Sequence, residues 1–215
     1  ANVKRRRTYD LNMGRLYTST YRPFVKQHVY FDRQMNDMVY GLYDCFPTPG
    51  HDNIGFYLTG VSSHYDFGAL IVDTVPNLHV LDTGQFFPRW TWEPVGDRHA
   101  AEAGMLDLSG GEDTEESGGA VGQEGEVLGG YCRVDNITDA TLRSYQAAYG
   151  PEVTKDDVFY YVYALLHSPE YRTRYGADLK KSLPHIPLVA SREDFVAFTT
   201  AGRGLPDLHL DYESV

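Results

Sequence analysis

The sequence predicts an α+β fold, in which a mainly antiparallel β-sheet half is followed by a helical half. Between residues 28 and 82, five short runs rich in β-branched and aromatic residues are separated by turn residues, with no helical period among them. From residue 136 onwards, apolar residues recur at helical spacing. Residues 96–130 are rich in Gly, Glu, Ser and Asp. We therefore expect a β-rich part at 1–95, an acidic loop or linker at 96–130, and a helical part at 131–215 that packs on the sheet.

A pair of helices at the centre of the helical half carries the clearest local signals. Thr154 is a predicted N-cap, and Asp157, three residues later, stands in the capping-box position. Ser168 and Pro169 stop the first helix and begin the second, because serine caps well and proline suits the first helical position. Pro184 then ends the second helix. The apolar stripes of this pair are typical of buried core.

Two further helices flank this pair. Thr138 caps a predicted helix that continues to Tyr149. Ser191 and Asp194 form a second capping-box pattern, which leads into a helix with Gly202 at its far end. Residues 205–210 are expected to add one more short turn. Residues 184–188 lie between the central pair and the helix that starts after Ser191, and they are expected to form an extended connector.

The β-rich half is predicted from composition and from the turns that separate its runs. The fourth run contains a continuous apolar stretch at residues 69–72, which indicates a strand buried on both faces. An aromatic cluster at residues 84–90 closes this half. The predicted strands are His28–Phe31, Met38–Phe46, Asn53–Gly60, Phe67–Thr74 and Asn77–Asp82.

The net charge of −11 is concentrated in one segment. Residues 1–95 are neutral overall, residues 96–130 carry −8, and residues 131–215 carry −3. This acidity argues against a non-specific polyanion binder. A site-specific reader with a local basic face is compatible with it, because nearby charges set the field at a site.

Several classes of protein are poorly supported by the composition. There is no run of about 18 apolar residues, so we expect no membrane span and no membrane partner. The first residues lack the apolar region of a secretory signal. Cys45 and Cys132 are far apart in sequence, which argues against a disulfide framework and a structural zinc site. The simplest expectation is a cytoplasmic protein with no metal and no cofactor.

The sequence contains no strong catalytic motif. A phosphate-binding loop of the Walker type and a G-x-S-x-G nucleophile elbow are both absent, and no two histidines form H-x-H or H-E-x-x-H. His64, Asp66 and His79 lie close in sequence and could form a small hydrolase or metal site. However, His and Asp residues near strand ends are usually turn formers. We therefore interpret the chain as binding rather than catalytic.

Short motifs occur along both halves in a characteristic order. In the β-rich half they are Tyr21-Arg22-Pro23-Phe24, Tyr30-Phe31-Asp32, Thr59-Gly60-Val61-Ser62-Ser63, Val75-Pro76-Asn77-Leu78-His79 and Gln85-Phe86-Phe87-Pro88. In the helical half they include Asn136-Ile137-Thr138-Asp139, Leu166-His167-Ser168-Pro169-Glu170-Tyr171-Arg172, Leu183-Pro184-His185-Ile186-Pro187 and Asp207-Leu208-His209-Leu210. In this order they resemble the C-terminal target-recognition region of the Type ISP restriction-modification enzymes. The resemblance covers nearly the whole chain except the acidic segment.

The resemblance implies a non-catalytic module at the end of a longer polypeptide. In that family, one chain also carries a nuclease, a helicase-like ATPase and an adenine methyltransferase. The expected partners are double-stranded DNA and the methyltransferase and helicase domains of the parent chain. The module would read base edges in the major groove while cations hold phosphates. It would thereby position the methyltransferase over an adenine that is flipped out of the stack.

Candidate DNA contacts follow from residue type and from expected loop positions. The candidate phosphate contacts are Arg5, Arg6, Arg22, Lys26 and Arg33, and the candidate base readers are Asn53, His64, Gln85 and Arg89. The alternative hypothesis is a protein-interaction or scaffold domain of a larger enzyme, without direct DNA contact. That alternative predicts a contiguous exposed apolar patch and no affinity for DNA.

Overall fold

Three small sheets are formed before the long helices begin in the computed structural model, which describes residues 8–37, 39–61, 63–96 and 125–212. The first sheet has the order β2-β1-β5, with β1 at Leu16–Arg22, β2 at Val25–Tyr30 and β5 at Val75–Pro76. The second has the order β4-β3-β6, with β3 at Gly55–Leu58, β4 at Ala69–Val72 and β6 at Gln85–Pro88. The third has the order β7-β9-β8, with β7 at Trp90–Pro94, β8 at Val127–Leu128 and β9 at Tyr131–Asp135.

Helices form the second half, and the predicted α+β class is confirmed. A four-residue helix, α1 (Leu42–Cys45), lies within the β-rich half. The long helices are α2 (Asp139–Tyr149), α3 (Lys155–His167), α4 (Pro169–Leu179) and α5 (Arg192–Leu210). The described strand pairs are antiparallel except for the short pairing of β1 with β5.

Each long helix begins at a predicted capping residue. The side-chain oxygens of these four residues accept hydrogen bonds from backbone N–H groups in the first turn, which would otherwise lack partners. The capping box at Thr154 and Asp157 is complete, with both reciprocal bonds present. The four N-caps are Thr138, Thr154, Ser168 and Ser191.

Helix α3 lies at the centre of the main hydrophobic core and joins the two halves. Tyr161 and Tyr163 have no solvent-exposed surface. Phe56 of β3 stacks on Phe159 at 4.2 Å and on Tyr163 at 5.3 Å between ring centroids. The Tyr163 hydroxyl also accepts a hydrogen bond of 3.0 Å from the backbone N–H of Ile71 in β4. The helical half therefore packs directly on the second sheet.

Three tyrosine hydroxyls hold the extended connector between α4 and α5. The hydroxyls of Tyr171, Tyr161 and Tyr149 donate to alternate carbonyl oxygens along this segment, at 2.7, 2.6 and 2.9 Å. The acceptor residues, in the same order, are His185, Pro187 and Val189. Because the connector is neither helical nor paired in a β-sheet, these bonds provide its backbone carbonyl groups with hydrogen-bond partners.

Two of the predicted strands are wrong. The run Met38–Phe46 contains the helix α1 at Leu42–Cys45, in which Tyr43 and Cys45 are buried. The run Asn77–Asp82 forms a turn with an isolated bridge between Val80 and Asp82. In both runs the apolar residues fill small satellite cores without a neighbouring strand to pair with. Strand β1, by contrast, lies where no strand was predicted.

Gly202 is an internal residue of α5, and its predicted role as a helix end is wrong. The helix continues without a break through Leu210. A Cβ atom at residue 202 would lie 2.0 Å from the Tyr160 carbonyl oxygen of α3. The glycine therefore permits the close approach of α5 to α3.

The ends of the acidic segment pair with each other across the predicted linker. Strand β7, which precedes the segment, pairs with β9, which follows it, from Trp90–Asp135 to Pro94–Tyr131. The short strand β8 then pairs with β9 as a hairpin. Residues 97–124 lie outside the described residues. The division at 96–130 stays a prediction.

Candidate nucleic-acid interface

An antiparallel ribbon formed by β1 and β2 (residues 16–30, the β1–β2 ribbon) lies open to solvent on one side. The first four residues of β2, from Val25 to His28, are exposed. Thr18 of β1, which pairs with His28, is exposed as well. Strand β2 is an edge strand, because the order of the first sheet ends with it. Successive side chains of a strand point to opposite faces, so Thr18, Lys26 and His28 form a polar row on this side, while Gln27, which pairs with Ser19, is exposed on the other face at the open edge.

The opposite side of the ribbon rests on an aromatic cluster that fixes its position. Tyr17 and Ser19 of β1 are buried. The Tyr17 ring meets Phe31 edge-on at 5.3 Å, and Phe31 stacks on Tyr43 at 4.3 Å. The Tyr17 hydroxyl donates to the carbonyl oxygen of Pro47 at 2.9 Å. Burial raises the pKa of both the Tyr17 and Tyr43 hydroxyls, so this support is uncharged.

The turn of the ribbon is attached to the end of α5. Phe24 adopts a φ of 60°, which is uncommon for a bulky residue and needs support from its surroundings. Its ring lies edge-on against Tyr212 at 5.3 Å and 6.1 Å from the ring of His209. These contacts fix the position of the neighbouring Arg22 and Lys26 relative to the helical half.

Three of the predicted phosphate contacts lie on or just after this ribbon. Arg22 lies over the ring of Tyr21 at 4.1 Å. Lys26 forms an ion pair of 3.3 Å with Asp73, and both side chains are more than a third exposed. Arg33 lies over the ring of Tyr43 at 4.3 Å. An exposed ion pair contributes less than about 1 kcal/mol, so an incoming phosphate can replace the carboxylate at Lys26.

Two predicted base readers lie on the second sheet instead. Gln85 is the exposed first residue of β6, paired with Leu58. His64 is exposed in the loop that joins β3 to β4. This loop is held by a 2.7 Å hydrogen bond from Ser63 to Asp82. That hydrogen bond is the main cause of the lowered pKa of Asp82, with smaller contributions from His79 and His64.

Asn53 is a structural residue, and its prediction as a base reader is not supported by its environment. Only 3% of its surface is exposed. Its side-chain nitrogen donates to the carbonyl oxygens of Cys45 at 3.0 Å and Trp90 at 2.8 Å. The amide therefore joins α1 to β7, and a buried amide with both donors engaged cannot reach a base edge without breaking these bonds.

Arg89 is also internal, and its environment does not support its predicted role as a base reader, which stays a prediction. It is 7% exposed, and its guanidinium bridges Asp135 and Asp156, with Nε donating to Asp156 at 2.9 Å. Burial opposes the ionisation of Asp135, but the bonds and charges of Arg89 and Lys155 outweigh it, so the pKa of Asp135 is lowered. The guanidinium thereby ties the junction of β6 and β7 to the end of β9 and to the start of α3.

The sequence analysis missed three exposed polar residues of the ribbon as possible contacts. Thr18, Gln27 and His28 were not among the candidates because β1 was not predicted, and without it the pairing of the two strands is unknown. A usable signal was present, since Pro23 separates two β-rich runs and is typical of a turn. Recognising that turn would have given the hairpin and its exposed row.

The remaining expectations concern the N-terminal arginines, a metal site and a membrane span. Arg5 and Arg6 lie outside the described residues. Among the residues the structure describes, no group of three or more His, Cys, Asp or Glu side chains is arranged to hold a metal ion. Asp66 pairs with Lys180 at 3.1 Å. No described helix combines the length and apolarity that crossing a membrane requires.

Comparison with known proteins gives a consistent result. The family model of the Type ISP C-terminal specificity domain matches residues 1–215. The structure is similar to a chain of the DrdV–DNA complex, with 28% identity, a TM-score of 0.77, and coverage of 100% of this chain and 18% of that one. It is similar to the ATP-dependent Type ISP restriction-modification enzyme LlaBIII bound to DNA, with 27% identity, a TM-score of 0.72, and coverage of 98% and 12%.

A third similar structure is a nuclease-deletion mutant of the Type ISP restriction-modification enzyme LlaGI in complex with a DNA substrate mimic. The identity is 30%, the TM-score is 0.66, and the match covers 97% of this chain and 12% of that one. This chain therefore spans less than a fifth of each of these longer chains. None of the curated proteins compared with the chain matches it.

Proposed function

The chain belongs to the Type ISP C-terminal specificity domain family, and from this premise we propose that it recognises a specific sequence in double-stranded DNA. The observation that carries the proposal is the match of the specificity-domain model to all 215 residues. The three similar structures are each described as complexes with DNA or with a DNA substrate mimic, which supports the same function.

The β1–β2 ribbon is the proposed reading element. The major groove of B-form DNA admits a two-stranded β-ribbon. The exposed row of this ribbon offers hydroxyl, imidazole and ammonium groups at Thr18, His28 and Lys26, and the edge strand adds the exposed amide of Gln27 on its other face. A glutamine side chain can bond both N6 and N7 of adenine, and a hydroxyl can bond any base edge. The fixed aromatic support keeps the row in register, which base reading requires.

The cations around the ribbon take a separate role in this proposal. Arg22 at the turn and Arg33 after β2 lie at opposite ends of the ribbon, and Lys26 lies between them. Contacts from such residues to phosphates set the position of the protein on the duplex but carry little sequence information. Gln85 on the second sheet and His64 in the loop that joins β3 to β4 are proposed as additional contacts outside the ribbon.

Catalysis would belong to other parts of a longer chain. We propose that this domain is itself non-catalytic and places the methyltransferase and helicase domains of its parent polypeptide on the target. A restriction-modification enzyme acts on DNA inside the cell, so the cytoplasm is the proposed location. The acidic segment at 96–130 is proposed to be a loop inserted between β7 and β9, since those strands pair with each other.

A domain exchange tests the proposal. The part of LlaBIII that matches this chain is replaced by this chain, and the sites modified in plasmid DNA are mapped by sequencing. If this chain reads sequence, the chimera modifies a new target in place of the LlaBIII target. As a matched control, LlaBIII with its own domain rejoined at the same junction must keep its own target.

The opposite outcome is also informative. If an active chimera keeps the LlaBIII target, this domain does not determine the sequence, and the alternative of a scaffold domain without base contacts becomes the better account. A chimera without activity is checked by a second measurement, in which the isolated chain is used to select sequences from a random duplex library. Failure to enrich any sequence would contradict the proposal.

A further inference from the structure

A cleft of about 520 Å³, whose lining residues do not belong to the β1–β2 ribbon, lies between the loop that joins β3 to β4 and one face of α4. Asp66 and Phe67 line the loop side. Residues of α4 spaced by three or four positions line the other side, as expected for one helical face. They include Arg172, Thr173 and Gly176, and Lys180 follows at the end of the helix.

Arg172, one of the residues that line this cleft, is held in place by a contact with α3. Its Nε donates to the carbonyl oxygen of Leu166 at 2.7 Å, near the end of α3. Its guanidinium lies 5.8 Å from the ring centroid of Phe67. A guanidinium positioned in advance loses less conformational entropy on binding an anion than a freely moving side chain.

The charge around the cleft is locally positive in an otherwise acidic chain. Residues 169–181 carry four cations, and the acidic residues in the same stretch are Glu170 and Asp178. Across the cleft, Asp66 pairs with Lys180 at 3.1 Å, but their side chains are 94% and 60% exposed. Such an exposed pair is weak and screened by salt. A phosphate can therefore take the place of the Asp66 carboxylate.

We propose that this cleft binds the phosphodiester backbone of duplex DNA while the ribbon reads the bases. The inference rests on the proposed function and adds a second, sequence-independent contact surface to it. The fixed Arg172 provides a planar donor for one phosphate, and the flexible Lys180 neutralises a second position along the strand. The Thr173 hydroxyl, exposed on the same helical face, adds a neutral donor.

Gly176 gives the strand room to lie against the helix. A Cβ atom at this residue would meet no atom within 4 Å, so a side chain there extends into the cleft without disturbing the fold. A Cβ atom at Gly204 of α5 would also meet no atom within 4 Å, and Gly204 does not line the cleft. The two glycines thus allow a charge to be added inside and outside the cleft by equivalent substitutions.

The test measures binding of the 215-residue chain to a fluorescent duplex of unrelated sequence, over a series of salt concentrations starting near 50 mM. Gly176→Glu places a carboxylate in the cleft, and we expect it to weaken binding about tenfold through repulsion of the phosphates. Gly176→Gln has nearly the same shape without the charge, and Gly204→Glu carries the same charge elsewhere. Both controls should bind within about twofold of wild type.

Lys180→Gln provides an independent variant. It should lower the slope of log affinity against log salt by about one, because one fewer counterion is released. If Gly176→Glu binds as tightly as Gly176→Gln while wild type binds duplex DNA, the cleft assignment is wrong and the proposed function stands. If wild type binds no duplex at low salt, the proposed function itself fails. An acidic peptide is tested in the same way, and we expect the chain to bind it more weakly than the duplex. Tighter binding of the peptide than of the duplex would make the cleft a protein-docking site.

Discussion

Helix α3 is mostly buried in the core, whereas strand β2 is mostly exposed to solvent. Seven of the 13 residues of α3 are buried, and two of its three tyrosines, Tyr161 and Tyr163, have no exposed surface. None of the six residues of β2 is buried. The contrast indicates a division of labour, in which the helix layer and the second sheet supply stability while the ribbon leaves its polar side chains free for contact. Substitutions in the two regions should therefore affect different measured properties.

The largest expected effect comes from the helix side of this comparison. Leu166→Ala removes a side chain that is 1% exposed in the main core. We expect the free energy of unfolding to fall by about 2–5 kcal/mol, because buried apolar surface is lost and a cavity remains. The measurement is urea denaturation followed by circular dichroism.

The matched substitution lies in the ribbon. Leu16→Ala removes the same atoms from a side chain that is 40% exposed, and we expect a loss below about 1 kcal/mol. Equal losses at the two positions would mean that the ribbon is as much a part of the stabilising core as α3, and the division of labour would be wrong.

A smaller effect is expected where two helices approach closely. Gly202→Ala places a methyl group against the Tyr160 carbonyl oxygen, 2.0 Å away in the present geometry. We expect a loss of about 1–3 kcal/mol, since the helices must separate. Gly204→Ala, in the same helix with open space around it, should instead raise stability by up to about 1 kcal/mol. Thermal unfolding of both variants checks the difference, and two changes of the same sign would contradict this account of Gly202.

The same division explains which elements the sequence could predict. Helix starts depend on residues three or four positions apart, so the caps at Thr154 and Ser191 are visible in the local sequence and were predicted correctly. A strand depends on a partner that is distant in sequence. The apolar run at residues 38–46 has no partner strand and forms a short helix instead. Gly202 shows the same limit, since only the position of α3 reveals why a glycine is needed there.

The candidate site shows a similar limit for charged residues. Arg89 and Lys26 are both basic residues of the β-rich half, and their types alone do not separate them. The structure does, because Arg89 is buried between Asp135 and Asp156 while Lys26 lies on the exposed edge strand. Residue type thus identified possible DNA contacts, but which of them are accessible depends on tertiary packing. The family membership was predictable from the order of motifs, since order does not depend on knowing the contacts.

The most direct test of the central claim compares the sequences that wild type and a ribbon variant select from a random duplex library. The variant Gln27→Ala/His28→Ala removes two exposed side chains of β2, whereas Lys26→Gln removes only a proposed phosphate contact. We predict that the double variant loses base preference at some positions of the selected sequence, and that Lys26→Gln keeps the full preference with lower affinity. Recovery of an unchanged sequence by the double variant would contradict the assignment of the ribbon as the reading element.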